Sequence, residues 1–288
     1  MNQLLLSARL CRLPLSLFAA CSAFAGFLLV SPHVTRALMP LTAVFLLASG
    51  ASALNQWQER DLDSRMARTR TRPLPSGSMR PGQALLFSAF CIAAGLGILF
   101  LSGSMTAVVL AVFCMLWYNG IYTLLKRVTA FAAVPGALVG MIPPAIGWVS
   151  AGGNLRDRRL LVVCFLFFLW QIPHFWLQVL RHGSEYEQAG MPSLTRVFTR
   201  RQLARITFAW ICAAAAGCLL LPLYGSVQSR VVHFSFVPLA GWLVWRGSSL
   251  LGTNGNAPVS PVLSRSVDIY LLIILVLLSA DCSFLRFL

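Results

Sequence analysis

Nine apolar runs of about 17 to 22 residues divide this chain, at roughly 13–31, 37–54, 82–103, 105–122, 131–150, 160–180, 204–223, 231–250 and 268–287, and each is long enough to cross the hydrocarbon core of a bilayer as an α-helix. Lipid offers backbone N–H and C=O groups no hydrogen-bonding partner, so spanning segments of this kind must satisfy those groups internally. A soluble chain is excluded by the same pattern, since 58% of residues are hydrophobic, well above soluble averages. The expected fold is an all-α membrane protein, a bundle of about nine transmembrane helices forming one domain over residues 1–288.

The charges orient the bundle. Twenty-two arginines and one lysine stand against eight acids, for a net +15. They lie in short patches between apolar runs rather than along one stripe, which argues against nucleic-acid binding and for cationic loops held on the cytoplasmic side. Alternate loops, those with Arg9/Arg12, Arg60–Arg80, Lys126/Arg127, Arg181–Arg205 and Arg246/Arg265, carry 17 bases against 6 in the other set. With an odd number of spans, this puts the N-terminus in the cytoplasm. The exception is NLRDRR, Asn154 to Arg159, with three arginines on the outer side. The first run, with Arg9 and Arg12 before it and Ala23-Phe24-Ala25 within it, has the outline of a secretory signal but is expected to be retained as the first helix. Eight cysteines are scattered singly, without metal-binding spacing, and read as small buried hydrophobes.

One stretch breaks the apolar pattern. NQWQERDLDSRMARTRTRPLPSG, Asn55 to Gly77, concentrates three carboxylates and five arginines in a chain with only 11% charged residues. If the second helix continues into it, Asn55, Glu59 and Asp63 share a face, whereas Asp61 lies about 160° around from that line. Acids gathered near membrane depth repel one another unless a cation holds them. Mg²⁺ is the economical choice, because it takes hard oxygen ligands from one or two protein carboxylates, waters and substrate phosphates. The arginines that follow, Arg65, Arg68 and Arg72, then become partners for an anion; a solvated loop of ion-paired charges is the alternative. Tyr122 precedes Lys126 by four residues, with Arg127 adjacent, on the same membrane face. GALVGMIPPAIGW, Gly136 to Trp148, reads as close helix packing around Pro143-Pro144. Gln171 and His174, three apart late in the sixth run, can both face the bundle interior, with Glu185 and Glu187 in the loop beyond.

Together the segments NQWQERDLDSRMARTRTRPL, IYTLLKRVT with IPPAIGW, and WQIPHFWLQ with EYEQAGMPSL resemble the UbiA-type intramembrane prenyltransferases. Those carry an Asn-x-x-x-Asp-x-x-x-Asp motif after the second helix and another acidic motif after the sixth. The resemblance runs from about the first span to the ninth, and Trp-Gln-x-Pro-His-Phe is most like the heme-modifying branch. It implies a central cavity open toward the cytoplasmic side of a bacterial inner membrane. In it, Asn55, Glu59, Asp61 and Asp63 are implied to be catalytic, with Asn55, Glu59 and Asp63 holding Mg²⁺ on farnesyl diphosphate. Arg68, Arg72, Lys126, Arg127 and Tyr122 are implied to bind the diphosphate, and Gln171, His174 and Glu185 to form a second half near heme or a second magnesium. The implied reaction transfers farnesyl to a vinyl group of heme B with addition of water, giving heme O and pyrophosphate, in company with heme A synthase or terminal oxidase assembly proteins. Glu59 and Glu185 stand where the family usually has Asp, Ala132 replaces an Asn, and Ser193 and Thr195 replace Met and Pro. These departures keep open another acceptor, a quinone precursor or a lipid, or a catalytically silent paralogue. A transporter is disfavoured because the polar residues cluster at one membrane face and do not run through the spans.

Overall fold

The computed structural model describes residues 3–252 and 259–283, whose regular structure is entirely helical. Each apolar run becomes a helix: α1 Leu13–Leu28, α2 Val34–Arg65, α3 Pro81–Leu101, α4 Met105–Leu125, α5 Ala133–Ser150, α6 Arg158–Gln188, α7 Arg200–Leu223, α8 Arg230–Gly247 and α9 Pro261–Ser283. By length and composition, seven of these, α2 to α7 and α9, can cross a membrane, and the protein is an integral multi-pass membrane protein. That measure does not reach the expected nine. Helix α1 stops after 16 residues, and α8 carries Arg230, His233 and Arg246 within its 18 residues.

Polar sequence continues two helices past their apolar runs, as the shared face of Asn55, Glu59 and Asp63 requires for α2. Helices α2 and α6 run past the expected ends at 54 and 180, to Arg65 and Gln188. Hydropathy stops where polar residues begin, but the backbone hydrogen-bond ladder does not. Helix α6 leaves helical geometry only at His182 (φ −125°, ψ 15°). Helix α9 begins at Pro261 rather than at 268, and residues 284–287 of its expected span lie outside the described residues.

Neighbouring helices pack in sequence, and α9 closes against α1 and α6, so that the bundle surrounds a central cavity. Helix α1 is a packed member of this ring, pressed on α2, α5 and α9. Its approach to α5 is backbone to backbone: a Cβ on Gly147 would overlap the Ala23 carbonyl oxygen, and one on Gly26 would overlap that of Pro144. Small residues permit this contact, which supplies van der Waals packing where lipid provides no hydrophobic drive between helices.

The arginine-rich exception, Asn154 to Arg159, has a local explanation. Asp157 caps α6 by accepting from Arg159 N at 2.9 Å and pairs with the Arg159 guanidinium at 2.7 Å, and Arg159 lies over the Trp148 ring, 5.0 Å from its centroid. One of the three charges is thus bound within its own turn.

Candidate active site

The helical continuation of α2 carries Asn55, Glu59 and Asp63 inward together, at 0%, 7% and 2% exposure. Two buried carboxylates a turn apart need partners, and other elements supply them. Lys126, just past α4, brings Nζ to 2.5 Å from Glu59 Oε1. After Arg65 the chain turns back, with Thr69 Oγ1 donating to the Asp63 carbonyl at 2.8 Å, and this carries Arg72 round to its own helix. Arg72 Nη1 then donates to both Asp63 oxygens, at 2.8 and 2.6 Å. Asn55 is placed differently from its two face-mates. Its Oδ1 accepts from Arg12 Nη2 at 3.2 Å and its Nδ2 donates to Thr123 Oγ1 at 3.0 Å. Both ends of the amide are engaged and, unlike Glu59 and Asp63, Asn55 does not line the cavity, so in this structure it ties α1 to α4.

Arg12 is a residue that the sequence marked only as a topological charge. It stands at the start of α1 in the left-handed conformation (φ 47°, ψ 58°), the single non-glycine residue of positive φ among the described residues. Such a conformation costs roughly 1–2 kcal/mol for an L-residue, and here it brings the guanidinium over the acidic face. Burial works to lower the Arg12 pKa, but Tyr118, Glu59 and Asp63 outweigh it and the pKa is raised. Its Nε is buried without a hydrogen-bond partner among the described residues. Burial, with Arg12 nearby, lowers the pKa of Arg72, and burial lowers that of Lys126 against the opposing pull of Glu59. Arg72 and Lys126 are therefore only partly compensated.

The charged groups among these line one end of a cavity of ≈ 420 Å³. Arg12, Arg68, Arg72 and Lys126 face it against only Glu59 and Asp63, so that end carries a surplus of positive charge suited to a polyanion. Helix α4 contributes through a π-helical turn, Leu116–Tyr122, a form common at functional sites. Tyr118 and Tyr122 stack there at 5.9 Å, and Lys126 Nζ lies 4.9 Å from the Tyr122 ring centroid. Beyond the charges the walls turn apolar, with Val44, Leu47, Met115, Ile146 and Phe167. Along α6, Trp170, Gln171, His174, Phe175 and Gln178 share the cavity face. Trp170 stacks on Phe18 of α1 at 5.2 Å, and His174 Nδ1 meets Asp268 Oδ1 of α9 at 2.6 Å.

Besides Asn55, three expected site residues lie outside the cavity lining. Asp61 is on the outer side of α2, its side chain 77% exposed and no nearer than 3.9 Å to Arg60. This is the consequence of being two residues out of step with a face of period near four. Arg127 is exposed and donates to the Gln58 carbonyl at 2.7 Å, outside the cavity lining. Glu185 does not line the cavity. It accepts from Arg68 N at 3.2 Å and meets His182 Nδ1 at 3.2 Å, fastening the loop after α2 to the end of α6, while Arg68 Nη2 reaches Tyr186 Oη at 3.4 Å. Among the described residues no three His, Cys, Asp or Glu side chains gather as a metal site. Arg12, Tyr118, Tyr186 and Asp268 were missed by sequence reasoning. Only Tyr118 had a local signal, four residues before Tyr122.

The family model described as "UbiA prenyltransferase family" matches residues 16–264. The protoheme IX farnesyltransferase of Geobacter sulfurreducens is 42% identical over 228 residues, 78% of this chain and 84% of that protein. Among solved structures, digeranylgeranylglyceryl phosphate synthase superposes with a TM-score of 0.75 at 16% identity, covering 98% of this chain and 99% of that one. A UbiA homolog from Archaeoglobus fulgidus bound to GPP and Mg²⁺ superposes with a TM-score of 0.68 at 13% identity, over 96% and 99%.

Proposed function

This chain belongs to the UbiA prenyltransferase family, and from that premise we propose that it transfers the farnesyl group of farnesyl diphosphate to a vinyl group of heme B, with addition of water, releasing pyrophosphate and heme O. The observation that carries the transfer chemistry is the pair Glu59 and Asp63, buried one turn apart and faced by Arg12, Arg72 and Lys126 at the charged end of an otherwise apolar cavity. The acceptor follows from the relatives named protoheme IX farnesyltransferase and from the Trp170, Gln171, His174 face.

Arg12, Arg68, Arg72 and Lys126 bind the diphosphate oxygens, and the apolar walls take the farnesyl chain and keep water from the reacting carbon. Glu59 and Asp63 would hold Mg²⁺. They are hard oxygen donors at the spacing of one helical turn, completed by phosphate oxygens in place of a third protein carboxylate. The metal, when bound, neutralises charge on the departing pyrophosphate. As the allylic C–O bond breaks, the fixed cations stabilise the leaving group where its charge develops. The vinyl carbon is itself the nucleophile, so no Ser-His or Cys-His pair is needed. The whole chain works as one domain in the bacterial inner membrane, with the charged end toward the cytoplasm, where heme A synthase or oxidase assembly proteins receive the product.

The test is to incubate the purified protein with heme B, farnesyl diphosphate and Mg²⁺ and to analyse the hemes by mass. Heme O is expected. Its absence, with prenylation of 4-hydroxybenzoate or a lipid in parallel reactions, would transfer the reading to another acceptor. Arg12→Ala is expected to lower kcat/KM for farnesyl diphosphate about a hundredfold, the scale of losing one charged donor at the leaving group. Steady-state kinetics checks this, and a value within twofold of wild type would take Arg12 out of the site.

A further inference from the structure

His174 and Asp268 stand 94 positions apart on α6 and α9, with 2.6 Å between Nδ1 and Oδ1. A carboxylate accepts, so facing Asp268 the ring donates from Nδ1, and the neutral tautomer that does so has its lone pair on Nε2. The ring is confined by Trp170 at 4.9 Å and Phe175 at 5.6 Å. Trp170 is itself anchored by Nε1 donating to the carbonyl of Val267, next to Asp268, at 2.7 Å. The same turns of α6 and α9 are thus tied twice. His174 lines the cavity, and no hydrogen bond to Nε2 occurs among the described residues. The cavity-lining carboxylates Glu59 and Asp63 already answer Lys126 and Arg72. His174 is connected to Tyr122 through Phe175 by ring contacts of 6.0 and 5.6 Å. Of the two aspartates on α9, Asp281 accepts from the Gln228 and Ser229 backbone amides ahead of α8, whereas Asp268 has His174 as its partner.

We propose that Asp268 is a positioning residue that holds His174 by Nδ1, so that Nε2 is presented as the proton acceptor for the water captured during transfer. The inference rests on the functional reading above. The vinyl carbon bonds to C1 of farnesyl as the C1–O bond breaks, and the bonding pair leaves with pyrophosphate. This puts a cation on the carbon attached to the pyrrole. Water donates a lone pair to that carbon, one of its protons passes to Nε2, and Asp268 offsets the charge of the imidazolium so formed. Without Nε2 to take the proton from water, the same cation can discharge by passing a proton from the adjacent CH₂ to the released pyrophosphate, which gives an alkene lighter than heme O by one water. No electrons are exchanged.

Full-length Asp268→Asn protein, assayed in detergent with heme B, farnesyl diphosphate and Mg²⁺, is expected to lose about tenfold or more in kcat, less than the roughly 10²–10⁴-fold of losing a general base outright, because His174 remains. KM for farnesyl diphosphate stays within about twofold, because the diphosphate end is untouched. The alkene's share of the products rises, and Asp268→Glu restores alcohol. His174→Ala shifts the products the same way, and adding Asp268→Asn to it costs little more, as for residues that act as a unit. The retained KM shows that the variants are folded. An Asp268→Asn enzyme with wild-type kcat and product ratio, or losses that add in the double variant, overturns the inference alone. A wild-type protein that forms no farnesylated heme overturns the functional reading and this inference with it.

Discussion

Asp63→Ala is expected to lower farnesyl transfer by about a thousandfold or more, because it removes both a metal-holding oxygen pair and the anchor of a phosphate-gripping arginine. Asp63 is 2% exposed and receives Arg72 Nη1 at 2.8 and 2.6 Å. The alanine variant leaves Arg72 partly buried without its counter-charge, at a cost of roughly 2–3 kcal/mol. This lies below the figure for a fully buried pair because 20% of the Arg72 side chain still meets solvent. Asp63→Asn separates the two consequences, since it keeps a hydrogen-bond acceptor for Arg72 but not the charge. It is expected to lose less stability than alanine, since one of the two oxygens that accept from Arg72 remains, and to be nearly as inactive. Asp61→Ala, two residues away and 77% exposed, is expected to change turnover by less than about twofold, as surface substitutions do. Pyrophosphate release and heme analysis on the three variants check the set. Wild-type turnover in Asp63→Ala would end the case for a diphosphate site on this face of α2.

Gly147→Leu is expected to be the most damaging single change outside the cavity. Its Cβ would overlap the Ala23 carbonyl oxygen and press on the Phe27 amide nitrogen. These are backbone atoms that cannot swing aside as a side chain can, so α1 and α5 would have to separate. Overpacking of this kind costs about 3 kcal/mol or more, and it would appear as a lower unfolding temperature in detergent. Activity should fall further than stability alone explains, since α1 carries Arg12 to Asn55. Gly97→Leu is the matched control, for a side chain there meets nothing within 4 Å, and it should unfold with the wild type. Equal unfolding of the two variants would mean that α1 does not lie against α5 as described.

Much of this architecture was legible because it is local. Apolar runs long enough to span lipid can only be helices, and residues four apart on α2 share a face whatever surrounds them. The inward placement of Glu59 and Asp63 and the outward placement of Asp61 both follow from that period. The membrane-facing count was less legible. An apolar run shows that a segment can be buried, but α1 is buried against α2, α5 and α9 within 16 residues, and hydropathy does not distinguish a protein neighbour from lipid. The continuation of α2 past its apolar run was legible from the i, i+4 spacing of its polar residues, but that of α6 was not, because its hydrogen-bond ladder runs into polar sequence where the apolar signal has stopped.

The sequence by itself determined that the chain is a helical membrane protein with an acidic face on α2, cations directly after it and a histidine-bearing face on α6. Only the tertiary structure decided which partners those groups have. Arg12 reaches Asn55 across 43 positions, and Asp268 reaches His174 across 94. Arg127, adjacent to Lys126, turns out of the cavity to the Gln58 carbonyl, and Glu185 fastens Arg68 at the rim. Helical periodicity is written into each segment by its own backbone geometry. The pairing between helices depends on how closely their side chains let them approach, and that is a property of the packed bundle.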